Sequence, residues 1–70
     1  MTLPEHPDRA AWKAWYDEAR LAHEEAMEMT VGIELLSGRP DLELREAVMR
    51  TRWTWITRMH AYEAFRLVHG

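Results

Sequence analysis

The sequence predicts an all-α fold, an antiparallel helical hairpin of two long helices, and three observations carry that prediction. One interior stretch, "SGRPD" at residues 37 to 41, breaks a chain that is otherwise compatible with helix. On each side of it, apolar residues recur alternately three and four positions apart, which is the period of one helical face. Within residues 41 to 69 no turn signal exists that would let a strand fold back on itself.

The first six residues read as an N-terminal arm, with "TLPE" resembling a short capped turn from Thr2 to Glu5. Pro7 and Asp8 then mark a helix start, and the first helix is expected over residues 7 to 37. Thr30, Val31 and Gly32 lower its helix propensity and mark a place where it can bend. Gly38 suits the left-handed position that ends a helix, residues 38 to 40 form the turn, and Pro40 opens the second helix, expected over residues 40 to 69. Asp41 and Glu43 lie near the positive end of that helix's dipole. Each helix is about 45 Å long, and so short a linker folds them into one antiparallel hairpin domain.

The least helical-looking segment is "RTRWTWIT", residues 50 to 57. Its alternating β-branched and aromatic residues suit a pleated surface, yet no partner strand is available. As helix, it places Trp53 and Trp55 about 200° apart around the axis, so they face different partners. The first helix offers a coiled-coil stripe of Trp12, Trp15, Ala19, Ala22, Ala26, Met29, Ile33 and Leu36. The second offers Leu44, Val48, Thr51, Trp55, Arg58, Tyr62 and Phe65. Folding at Gly38 and Arg39 pairs Ile33 with Leu44, Met29 with Val48, Ala22 with Trp55, Trp15 with Tyr62 and Trp12 with Phe65, small opposite large in the middle and aromatic opposite aromatic at the open end.

Trp55 therefore belongs to the seam of the hairpin, and Trp53 does not. Trp53 falls in a second stripe with Leu42, Met49, Ile56, His60 and Leu67, flanked on one side by Arg45, Arg52 and Arg66. A lone hairpin gives this stripe no cover, and leaving it wet forgoes about 1.5 to 3 kcal/mol for each large apolar side chain. A second copy of the chain supplies the simplest cover, giving a homodimeric four-helix bundle. The candidate dimer- or partner-binding residues are accordingly Leu42, Met49, Trp53, Ile56, His60, Leu67, Arg45 and Arg52.

Composition limits the alternatives. The 70-residue chain contains no cysteine, which excludes disulfides and Cys-based zinc sites and suits a reducing, cytoplasmic setting. No apolar run approaches the roughly 20 residues of a membrane span, and no signal peptide is evident. Net charge is −3, but residues 5 to 36 carry eight acids against Arg9, Lys13 and Arg20, while residues 39 to 70 carry six arginines against four acids. An acidic helix facing a mildly basic one suits mutual packing.

Two constellations invite a chemical reading. His23, Glu24 and Glu28 in "HEEAME" offer nitrogen and oxygen donors for a metal, but carboxylate di-iron bundles use Glu-x-x-His, and neither His23 nor His60 has Glu three positions before it. A solvated acidic face, with Glu25 opposite Arg52 and Glu28 opposite Arg50, is the simpler expectation. Arg45, Arg50, Arg52, Arg58 and Arg66 with two tryptophans suggest nucleic-acid contact by phosphate binding and base stacking, but they do not form one stripe, and Arg58 falls in the seam. Neither His6, His23, His60 and His69 nor any Ser stands in a nucleophile or relay pattern, and no Gly-rich phosphate loop exists. The expectation is a non-enzymatic interaction protein without cofactor, binding itself and a further protein. A nucleic-acid-binding helical dimer is the alternative, and a carboxylate and histidine metal bundle the third reading.

Overall fold

Asp8 caps the first helix: its carboxylate accepts the Ala10 N–H at 3.0 Å and its carbonyl accepts the Trp12 N–H at 3.1 Å, satisfying donors that a helix start leaves free. α1 runs over Arg9–Ser37 and α2 over Leu42–His69 in a computed structural model that describes residues 8 to 69, with side chains as far as Val68. The expected arm at residues 1 to 6, including its Thr2 to Glu5 turn and His6, lies outside the described residues, as do Pro7 and the His69 side chain. The two helices fold back on each other as a rod 48 × 17 × 15 Å.

α1 continues without a break through Thr30, Val31 and Gly32. The Thr30 hydroxyl donates to the Ala26 carbonyl at 2.7 Å, so the side chain finds its partner within the helix. A Cβ at Gly32 would meet nothing within 4 Å. Gly32→Ala is therefore expected to stabilise the fold by about 0.5 to 1 kcal/mol, read as a higher thermal midpoint; a lower midpoint would mean that the glycine serves a contact its helical setting does not require.

Between the helices, Gly38 takes φ 72° and its N–H closes onto the Glu34 carbonyl at 2.9 Å, a left-handed stop that costs a residue with a Cβ more. α2 begins at Leu42, two residues later than the expected start at Pro40. The reason is the cap: the Asp41 carboxylate accepts the Leu44 N–H at 3.1 Å and the Asp41 carbonyl accepts the Arg45 N–H at 3.0 Å. Pro40 thus precedes the cap instead of occupying the first turn.

Glu34 ties the turn together. Its Oε2 accepts the Asp41 N–H at 2.9 Å and the Arg45 Nε–H at 2.7 Å, and its Oε1 accepts from Arg45 Nη2 at 2.9 Å. This two-pronged pairing matches the planar fork of guanidinium to carboxylate. The Arg45 bonds, then the Asp41 N–H, hold the Glu34 carboxyl down at about 2. Because folding lowers this pKa from 4.5, its stabilising contribution is complete above pH 4.5 and is lost as pH falls through 2. Thermal melts between pH 2 and 7 are expected to show an acid-side loss that Glu34→Gln flattens; identical acid limbs in the two proteins would exclude the clasp as its source.

The seam follows the expected register but not the expected face of α1. At the open end Trp12 stacks on Phe65, centroids 4.6 Å apart and planes 7° from parallel, as the pairing requires. On α2, Leu44, Val48, Thr51, Trp55, Arg58 and Tyr62 are half-buried and Phe65 is buried. On α1, however, the neighbours differ. Tyr16, not Trp15, stacks on Tyr62 at 5.6 Å, and His23, not Ala22, stacks on Trp55 at 5.4 Å. Thr30 replaces Met29, its hydroxyl lying 3.4 Å from the Leu44 carbonyl. α1 is turned by part of a helical step, which keeps Trp12, Ala19 and Ala26 inward and swings Ala22, Met29 and Ile33 outward.

That rotation follows from polar partners. The Thr51 hydroxyl has one proton, which it gives to a carbonyl of its own helix, Ala47 at 2.9 Å or Val48 at 3.0 Å. Its oxygen is then the acceptor for His23 at 3.3 Å, which assigns the imidazole proton to Nδ1. Arg58 Nη1 donates to the Trp15 carbonyl at 2.8 Å, its guanidinium lies 4.9 Å from the centre of the Trp15 ring, and Glu18 Oε1 is 3.7 Å away. Each contact forms only when α1 presents this face. Glu25 and Glu28 are carried to the outer side in consequence, and their expected pairs with Arg52 and Arg50 do not form; the inter-helix ion pairs among the described residues are Glu34 with Arg45 and Glu18 with Arg58.

Candidate interaction surfaces

Among the described residues, Ala19 and Phe65 are the apolar side chains that are buried, beside His23 and Thr30. The interior of the hairpin is narrow and partly polar, and it leaves Trp55 Nε1 and Arg58 Nε buried without a hydrogen-bond partner. Large apolar side chains lie mostly outside, seven of them on two stripes.

The first stripe runs along α2, where Leu42, Met49, Trp53 and Leu67 are exposed, Trp53 by 63% and Leu67 by 89%. His60 is exposed with them, and Ile56 is half-buried at their edge. Their shared outward face follows from spacings of seven, four, three, four and seven positions. The two arginines expected beside this stripe have different surroundings. Arg45 is committed to Glu34 within the chain, whereas Arg52 is exposed.

A second stripe, on α1, is the part of the expected seam that the rotation freed. Met29 is 57% exposed, Ile33 41% and Leu36 91%, with Ala22 exposed in line with them. Around the other side of the same helix, Met27 and Val31 line a shallow groove of about 300 Å³ with Thr30, Glu34, Arg45 and Val48.

The remaining arginines are dispersed. Arg58 is inside the hairpin, Arg66 lies 5.9 Å from the centre of the Tyr62 ring, and Arg50 and Arg52, two positions apart, point to different sides of α2. Among the described residues no group of three or more His, Asp or Glu side chains is placed to hold a metal ion. His23 faces Trp55 and Thr51, while Glu24 pairs with Arg20 at 2.9 Å on the surface. No helix among the described residues is long and apolar enough to cross a membrane.

Sequence reasoning did not find the His23, Thr51 and Trp55 cluster or the Glu34 clasp. The clasp left a signal, since an acid four residues before Gly38 and an arginine four residues after Asp41 flank the turn. Comparison with known proteins finds no family model, no curated relative and no solved structure that matches the chain.

Proposed function

We propose that the chain is a small non-enzymatic interaction protein that works as a homodimeric four-helix bundle and presents its remaining surface to another protein. The observation that carries this reading is the inverted distribution of apolar groups. Among the described residues twelve large apolar side chains are exposed by 41% or more, while Ala19 and Phe65 alone are buried. A hairpin with so small an interior gains little from folding alone.

The α2 stripe supports the same reading. Trp53 near the middle of the α2 stripe, with Leu42 and Leu67 toward its ends, is the arrangement of a buried aromatic anchor. The absence of cysteine suits a reducing compartment such as the cytoplasm.

Sedimentation equilibrium at micromolar concentration tests the dimer. The expected mass is near twice 8.3 kDa. A mass of one chain across the accessible range would remove the second copy as the cover of the α2 stripe.

A further inference from the structure

We propose that the α1 stripe of Ala22, Met29, Ile33 and Leu36 is a docking face for a basic amphipathic helix of another protein. The inference rests on reading the chain as a protein-contact module and names the chemistry of its partner.

Three features of the structure lead there. First, the outward turn of this stripe is held by directional contacts: His23 to Thr51 at 3.3 Å, Arg58 to the Trp15 carbonyl at 2.8 Å, and the Glu34 to Arg45 pair at 2.7 and 2.9 Å. These set polar residues against α2 and leave Met29, Ile33 and Leu36 in solvent. Second, the spacing of seven, four and three keeps the four residues on one side of α1 over about 21 Å, the length of four helical turns. That is the footprint of a docked helix, and methionine is a side chain that adapts to such partners.

Third, the surroundings are acidic. Of the five glutamates in residues 18 to 36, Glu24 pairs with Arg20, Glu34 with Arg45 and Glu18 lies 3.7 Å from Arg58, which leaves Glu25 and Glu28 without an ion pair. Glu18, Glu25 and Glu28 are exposed. A second copy fits poorly here, because a twofold interface on this stripe brings Glu25 and Glu28 toward their own counterparts. A cationic partner meets the opposite sign. Arg50 and Arg58 line the groove at the Ala22 end, so the lysines or arginines of the docked helix belong beside Glu25 and Glu28, away from that groove.

The probes are two labelled amphipathic peptides of identical helical pattern, one of leucine and lysine and one of leucine and glutamate, followed by fluorescence anisotropy with sedimentation of the same samples. The lysine peptide is expected to bind at least about tenfold more tightly than the glutamate peptide, and to weaken as salt rises. Met29→Ser and Leu36→Ser are expected to reduce that binding by roughly tenfold each, while Val68→Ser, at an exposed apolar site on α2, leaves it unchanged. Leu36 is 91% exposed, so its substitution leaves the fold intact, and far-ultraviolet circular dichroism verifies this. Equal binding of both peptides, no binding of the lysine peptide, or indifference to Met29→Ser and Leu36→Ser would each overturn the proposal. A dimer that dissociates on Leu36→Ser would also overturn it, by showing that this face pairs copies of the chain. A monomeric mass together with the expected peptide binding would refute the dimer and support this face.

Discussion

Trp55→Ala is expected to destabilise the hairpin by about 3 to 5 kcal/mol, a large part of the roughly 5 to 15 kcal/mol that holds a small domain together. The side chain fills the middle of the seam, stacked on His23 with centroids 5.4 Å apart and planes 19° from parallel. Removing it opens a cavity between two helices whose other inward residues there, Ala19 and Thr51, are small. It also strips the covering ring from His23, which is buried and bonded to Thr51. Trp55→Phe separates packing from polarity. Phenylalanine keeps an aromatic face for His23 and deletes the Nε1–H that has no partner, so its cost is expected to be at least about 1 kcal/mol below that of alanine. Urea unfolding of the three proteins at one fixed concentration measures both differences. Equal losses for phenylalanine and alanine would mean that the indole nitrogen matters more than the ring.

The hairpin was legible in the sequence because each signal for it is local. Gly38 ends one helix, Asp41 starts the next, and α2 keeps one inward face from Leu44 to Phe65. The register was legible as well, since a tight turn leaves little freedom, and Trp12 meets Phe65 accordingly. The rotation of α1 was not. An apolar stripe at Ala22, Met29, Ile33 and Leu36 satisfies periodicity better than Tyr16, His23 and Thr30 do, and periodicity counts hydrophobic burial alone. What decides between the two faces is whether the polar residues find partners at the right distance across the seam. Thr51, Arg58 and Arg45 on the opposite helix supply those partners, and no property of α1 by itself reveals them. The outer α2 stripe around Trp53 was legible for the same reason that the α2 seam was, because an unbroken helix fixes the direction of every side chain along it.

Trp53→Ala is expected to act between chains and not within one. Its ring is 63% exposed and stacks on no other ring among the described residues, so truncation removes almost nothing that holds the hairpin together, and alanine is the better helix former. In a twofold bundle each copy brings its own Trp53 to the interface, so one substitution deletes two contacts. Taking a single buried aromatic anchor at about 2 kcal/mol, the loss is about 2 to 4 kcal/mol per dimer, a rise in the dissociation constant of roughly 30- to 700-fold. The mutant is then expected to sediment as a mixture of one and two chains at concentrations where the native protein is dimeric. Its melting midpoint should climb with protein concentration across that range, because folding and association are linked by mass action. Trp55→Ala gives the opposite signature, a large loss of stability arising within each hairpin. A Trp53→Ala protein that keeps the native mass and midpoint at every concentration would show that the α2 stripe is not where the copies meet.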